Sequence, residues 1–107
     1  MKNTTLESIA FQLISNVGTA KSLVMEALYE TKKGNFNQAD EKLKESKKYF
    51  TEAHKVHSSL IQKEAAGEKI EINLLIAHAE DQLMSTETMT ELVKELIEIY
   101  QLINKNQ

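Results

Sequence analysis

The sequence predicts an all-α fold, an antiparallel up-down-up three-helix bundle. Three observations carry that reading. The 107 residues include no proline and only three glycines, Gly18, Gly34 and Gly67, so few positions break a helix. Strong helix formers (Ala, Leu, Glu, Lys, Gln and Met) are plentiful. Apolar residues recur at three- and four-residue spacings over three segments, each roughly 28 to 34 residues long. The helices are predicted at about 5–33, 37–65 and 71–104, within one domain covering 1–107. Short turns between long helices make sequential neighbours antiparallel.

The first helix has capping oxygens at Asn3, Thr4 and Thr5, with Glu7 three residues past Thr4 as in a capping box. Its apolar line runs through Ile9, Leu13, Val17, Ala20, Val24, Ala27 and Leu28. Gly18 interrupts it at a cost of about 1 kcal/mol relative to alanine, and close approach of another backbone is one reason to keep it. Lys32 and Lys33 suit the negative end of the helix dipole, and Gly34 supplies the stop. Asn35 or Asn37 is the expected cap of the second helix. The apolar line there is Phe36, Ala39, Leu43, Phe50, Ala53, Val56, Leu60 and Ile61, opposite a solvated side with Lys42, Lys44, Lys47 and Lys48 among Glu41 and Glu45. Ala65-Ala66-Gly67-Glu68 ends it, and the third helix begins near Ile70 to Asn73.

The third helix is apolar on two sides. One seam passes through Met89, Leu92, Leu96, Ile99 and Ile103; extended backwards it meets Ser85, Gln82, His78 and Leu75. That line puts His78 among packing positions and not on a solvated face. A second face carries Ile76, Leu83, Val93, Ile97 and Tyr100. A helix apolar on two sides needs two surfaces to bury against, and self-association is the economical supply. Asp81 and Gln82 follow His78 by three and four residues, so all three share one side of the helix.

Composition narrows the chemistry. Without cysteine, disulfides, zinc–thiolate sites and thiol nucleophiles are excluded. A net charge of −3 with a pI near 5.6 is a poor footprint for nucleic acid. All 13 basic residues are lysine, which removes the bidentate arginine clamp on phosphate. The first thirty residues lack a basic start followed by an apolar core, and no apolar run approaches the roughly 18 residues of a membrane span. The expected location is therefore the cytoplasm.

Nucleophiles reduce to His78, with His54 and His57 as weaker candidates. A di-iron bundle needs Glu-x-x-His on two helices, but Leu75, Thr51 and His54 stand three before the histidines. His54 and His57, at i and i+3, have the spacing to share a metal but read first as exposed helical histidines. Glycine-rich phosphate loops, His-Glu-x-x-His and serine–histidine–acid patterns are missing. The residues alone leave His78 open between a satisfied core histidine and a nucleophile.

The run His78-Ala79-Glu80-Asp81-Gln82-Leu83-Met84 resembles the active-site signature of the lactose/cellobiose-type enzyme IIA family of the bacterial sugar phosphotransferase system, usually His-Ala/Gly-Gln-Asp-His-Leu-Met. The similarity covers nearly the whole chain. It includes Gly18-Thr19-Ala20-Lys21-Ser22, Glu26-Ala27-Leu28, Gly34-Asn35-Phe36 with Ala39, Ala53-His54, Leu60-Ile61, Glu64-Ala65 and Gly67-Glu68. The resemblance implies three-helix protomers assembled as homotrimers, with the third helices around the axis. It implies that His78 accepts a phosphoryl group from the phosphocarrier HPr and passes it to a cysteine of a IIB component, itself linked to a membrane IIC permease. It implies that Asp81 from three subunits meets a divalent cation, magnesium. The pattern leans toward β-glucosides such as cellobiose over lactose.

Two residues depart from the signature. Glu80 replaces the usual glutamine and Gln82 the usual second histidine, and both belong to the expected surroundings of the phosphoryl group. A carboxylate about 5 Å from the phosphoryl group, at an effective dielectric near 20, costs on the order of 3 kcal/mol for one like-charge pair before screening. Glu80 either faces the His78 of a neighbouring subunit or points to solvent and pairs with a lysine. Ser85-Thr86-Glu87-Thr88 is also more polar than the family's usual run, which weakens a trimer core. The competing expectation is a phosphorylation-impaired interaction module that retains the fold.

Overall fold

The computed structural model describes residues 5–105. Helices α1 (Leu6–Lys32), α2 (Phe36–Ala65) and α3 (Leu74–Lys105) lie along a rod of 57 × 22 × 21 Å. The architecture is the predicted three-helix bundle, with each boundary set by local chemistry. Thr5 caps α1, its Oγ1 accepting from the Ser8 N–H at 3.0 Å. The predicted alternatives Asn3 and Thr4 lie outside the described residues.

Gly34 and Gly67 stop α1 and α2 at φ 85° and 97°, the left-handed region that glycine enters without a side-chain clash. Past Gly34, the Asn35 N–H donates to the Glu30 carbonyl at 2.9 Å, and past Gly67 the Glu68 N–H donates to that of Lys63 at 3.0 Å. Asn35 occupies the cap position of α2 but makes no side-chain cap bond. Its Nδ2 turns back and donates to Glu30 Oε1 at 2.9 Å, while Asn37 lies inside the helix. The third helix starts at Leu74, three residues later than predicted, where Asn73 Oδ1 accepts from the Ile76 N–H at 2.9 Å. A side chain that satisfies a free helical N–H starts the helix more firmly than the β-branched Ile70 and Ile72 before it.

The most extensively packed helix is α1. It packs along both other helices, whereas α2 and α3 meet only sparsely. The larger core joins Ile9, Leu13 and Val17 of α1 to Ala53 and Leu60 of α2 and to Ile76, Ala79 and Leu83 of α3. A smaller cluster joins Val24 to Val93 and Ile97. The predicted α1 line is buried from Ile9 to Ala27, with Leu28 packed partly against the second cluster. On α2 the gap between Leu43 and Phe50 is filled by buried Ser46, whose hydroxyl donates to the Leu43 carbonyl at 2.8 Å. Gly18 does not fit its expectation: it is exposed, and a Cβ added there would meet nothing within 4 Å. Across the α1–α2 face Lys42 and Glu26 pair at 2.8 Å. The hydrogen bond to Glu26, reinforced by its charge, holds the Lys42 ammonium above the ordinary lysine range.

The two apolar sides of α3 have different neighbours. Ile76, Ala79, Leu83, Thr86, Val93 and Ile97 turn inward and are buried. The seam through His78, Ser85, Leu92, Leu96, Ile99 and Ile103 is exposed, with Leu75, Gln82 and Met89 half-buried at its edge. This corrects the placement of His78 among packing positions: within one chain it stands on the open side. The buried residues follow a strict heptad of their own, Ile76, Leu83 and Ile97 with Ala79, Thr86 and Val93, and the line through His78, Ser85, Leu92 and Ile99 is displaced from it by two residues, about 200° around the helix. Thr86 likewise belongs to the inner face, at 1 % exposure, so only Ser85, Glu87 and Thr88 of that polar run face outward.

Candidate functional site

The site occupies the first three turns of α3 on its outer side. Asn73 starts the helix one turn ahead of Ala77, and the buried Ile76, Ala79 and Leu83 lock its rotation against α1 and α2. That anchoring presents His78 and Asp81 to solvent, one helical turn apart. Gln82 lies beside them, half-buried, and Ser85 continues the strip. Further along, the same side becomes apolar: Leu92 is 60 % and Ile99 51 % exposed, with Leu96 and Ile103 between and beyond. A polar strip around one accessible imidazole thus runs directly into an unpartnered apolar stripe.

Glu80 leaves this strip. Two residues from His78 is about 200° around the helix, and that rotation carries its side chain to α2. There Glu80 Oε1 meets His57 Nδ1 at 2.5 Å, with both side chains 26 % exposed. The contact lacks the alignment of a directed hydrogen bond, and Glu80 Oε2 is buried with no hydrogen-bond partner. Within the chain, then, Glu80 neither reaches the His78 side nor pairs with a lysine. His57 is the residue that sequence reasoning missed, read as an exposed histidine though it is half-buried. A signal was present: His57 is four residues past Ala53 and three before Leu60, both on the buried line of α2.

His54 matches its expectation, exposed and stacked on Phe50 at 6.5 Å between ring centroids. Its ring is 6.2 Å from that of His57, but the Nδ1 of His57 already faces Glu80. Among the described residues, no three His, Asp or Glu side chains come together as a metal-binding group. An accessible imidazole such as that of His78 suits nucleophilic attack through the lone pair of a neutral ring nitrogen. Among the described residues no helix is long and apolar enough to cross a membrane.

Comparison with known proteins agrees with this arrangement. The family model for the lactose/cellobiose-specific IIA subunit of the phosphotransferase system matches residues 8–101. The chain is 41 % identical over 102 residues to the oligo-β-mannoside-specific EIIA component of Bacillus subtilis (strain 168), covering 95 % of this chain and 93 % of that one. The crystal structure of the cellobiose-specific enzyme IIA from Bacillus anthracis superposes with a TM-score of 0.92 at 42 % identity, covering 100 % of this chain and 97 % of that one. A IIA for N,N'-diacetylchitobiose from Escherichia coli, solved in solution in complex with HPr, has a TM-score of 0.81 at 35 % identity, covering 94 % of this chain and 97 % of that one. The protein belongs to the lactose/cellobiose-specific IIA family of the sugar phosphotransferase system, whose members are helical phosphotransferases that carry a phosphoryl group.

Proposed function

We propose that this chain accepts a phosphoryl group from HPr on His78 and passes it to a cysteine of a IIB component during sugar uptake. The carrying observation is the exposed His78 imidazole, held on the outer side of α3 by a buried inner face. In the first step a nitrogen of the neutral ring attacks phosphorus, and a P–N bond forms as the bond to HPr breaks. In the second, the thiolate of IIB attacks the same phosphorus and the P–N bond breaks. Little covalent help is needed, because positioning and charge dominate phosphoryl transfer. The complex of the related chitobiose IIA with HPr supports the donor. The cellobiose specificity of the Bacillus anthracis neighbour supports a β-glucoside or cellobiose class over lactose. A cytoplasmic location, with an indirect link to a membrane IIC permease, follows from those partners.

The exposed stripe of Leu92, Leu96, Ile99 and Ile103 supports a homotrimer gathered through α3. Asp81 lies on the same side, upstream of that stripe. One chain supplies a single carboxylate, which does not hold a hard cation alone. Three Asp81 carboxylates around an axis offer the oxygen ligands that magnesium takes, and the ion supplies the positive charge that offsets their repulsion.

The second reading, a phosphorylation-impaired module, draws on Glu80 and Gln82 replacing the family's usual glutamine and histidine. The inward turn of Glu80 onto His57 takes that carboxylate off the His78 side and weakens the case. Incubation with phosphoenolpyruvate, enzyme I and HPr, followed by intact mass, separates the two. Gain of one phosphoryl group, acid-labile and base-stable, supports the carrier. An unchanged mass supports the module.

A further inference from the structure

We propose that His57 is a positioning residue for phosphoryl transfer: its contact with Glu80 links α2 to α3 and, in the proposed trimer, holds the Glu80 carboxylate away from the His78 of a neighbouring subunit. The inference rests on His78 being the phosphoacceptor. It begins with the packing. Because α2 and α3 meet sparsely, each direct link between them weighs heavily on where the first turns of α3 stand. Among the described residues the Glu80–His57 contact is the only one between an acidic and a basic side chain that joins α2 to α3. It lies next to Asp81 and two residues from His78 in the chain.

The chemistry of the contact explains the hold. A bare nitrogen lone pair facing a carboxylate oxygen at this range would repel it, so the contact holds only with the imidazole proton on Nδ1. The surroundings also disfavour any inward position without that partner. A cleft of about 330 Å³ beside the pair is walled mainly by Leu60, Ile61, Ile70, Ile72 and Ile76, and Glu80 Oε2 is already buried without a hydrogen bond. A carboxylate facing such walls unpaired is unfavourable. Removing the imidazole therefore drives Glu80 outward into water, where in the proposed trimer the His78 of a neighbouring subunit, and not that of its own helix about 200° away, is the one within its reach. The occupants of positions 57 and 80 thus act as a unit.

The test is a double-mutant cycle on the full-length protein, reading HPr-dependent phosphorylation of His78 by rapid quench and intact mass. His57→Leu keeps apolar volume in the cleft and removes the proton donor. It should lower kcat about tenfold while KM for HPr stays within about twofold, since His57 is half-buried against Glu80 and offers little surface for a partner to dock on. Glu80→Gln alone should stay within about twofold of wild type, because the amide still pairs with the imidazole. His57→Leu combined with Glu80→Gln should recover most of the lost rate, because no carboxylate is left to turn outward. That non-additivity separates positioning from plain packing. An unimpaired His57→Leu overturns the proposal, and so does an equal loss whether His57→Leu is made in wild type or on top of Glu80→Gln. A wild-type measurement guards against a variant that fails to fold. The ¹⁵N imidazole spectrum at pH 7.5 should show His57 protonated at Nδ1; a bare Nδ1 with the proton only on Nε2 overturns the clasp. Wild type that takes no phosphoryl group on His78 counts against the transfer reading instead, and the imidazole spectrum still decides the clasp.

Discussion

The inner face of α3 buries Ile76, Ala79, Leu83, Val93 and Ile97 against its own chain, whereas the outer face leaves Leu92, Leu96, Ile99 and Ile103 open to solvent. Both faces are comparably apolar in sequence, and both repeat at three and four residues. They differ in what the rest of the chain can reach. The inner face docks on α1 and, more sparsely, on α2, and among the described residues no further helix remains to cover the outer one. His78 and Asp81 sit at the head of that uncovered face. The contrast teaches that helical periodicity reports a demand for burial, not its source. The imidazole of His78 stands where the chain's own burial ends.

Five experiments test that contrast, beginning with the largest effect. His78→Ala should abolish phosphorylation by HPr while His54→Ala, on exposed α2 surface, retains it; intact mass reads both, and labelling of the His78→Ala protein would discard the phosphoacceptor. Leu92→Glu puts a charge on the outer stripe and should reduce the mass by light scattering from three times 12.2 kDa to one. Helicity should be unchanged, because Leu92 touches no core of its own chain; a wild type that is already monomeric at micromolar concentration would remove the trimer.

On the inner face the penalty is stability rather than assembly. Leu83→Ala should cost about 2–5 kcal/mol of unfolding free energy through the cavity it leaves, seen in urea titration. A loss under about 1 kcal/mol would contradict its place in the core. Chelation of divalent cations should lower the melting temperature of wild type but not of Asp81→Asn. At free metal about 100-fold above Kd the linkage is about 2.7 kcal/mol, and equal insensitivity of the two proteins would discard the shared ion while leaving the trimer. The smallest effect belongs to the cap. Asn73→Ala should cost about 1 kcal/mol, and hydrogen exchange should rise in the turn from Leu74 to Ala77 and leave the C-terminal turns of α3 unchanged.

Much of the fold is legible along the chain because its signals are local. Gly34 and Gly67 mark stops that need a positive φ, and the line from Ile9 to Ala27 marks the buried side of α1. The caps are less legible, since several short polar side chains compete at each boundary. Thr5 takes the role offered equally by Asn3 and Thr4, and Asn35 spends its amide on Glu30 instead of on α2. At the site, the spacing of His78, Asp81 and Gln82 is enough to place them on one side of a helix, and the signature around them points to phosphoryl transfer.

By itself the sequence determined three helices, their order and turns, the buried side of α1 and the family to which His78 points, because each depends on residues close in the chain. Tertiary structure alone decided which apolar side of α3 faces inward, and so that His78 stands in the open. It also decided that Glu80 meets His57 across the turn that joins α2 to α3. Such a contact depends on how α2 and α3 rotate against α1. That rotation is set by the packed core as a whole, from Leu13 and Val17 to Ala53, Ala79 and Leu83, and no local pattern encodes it.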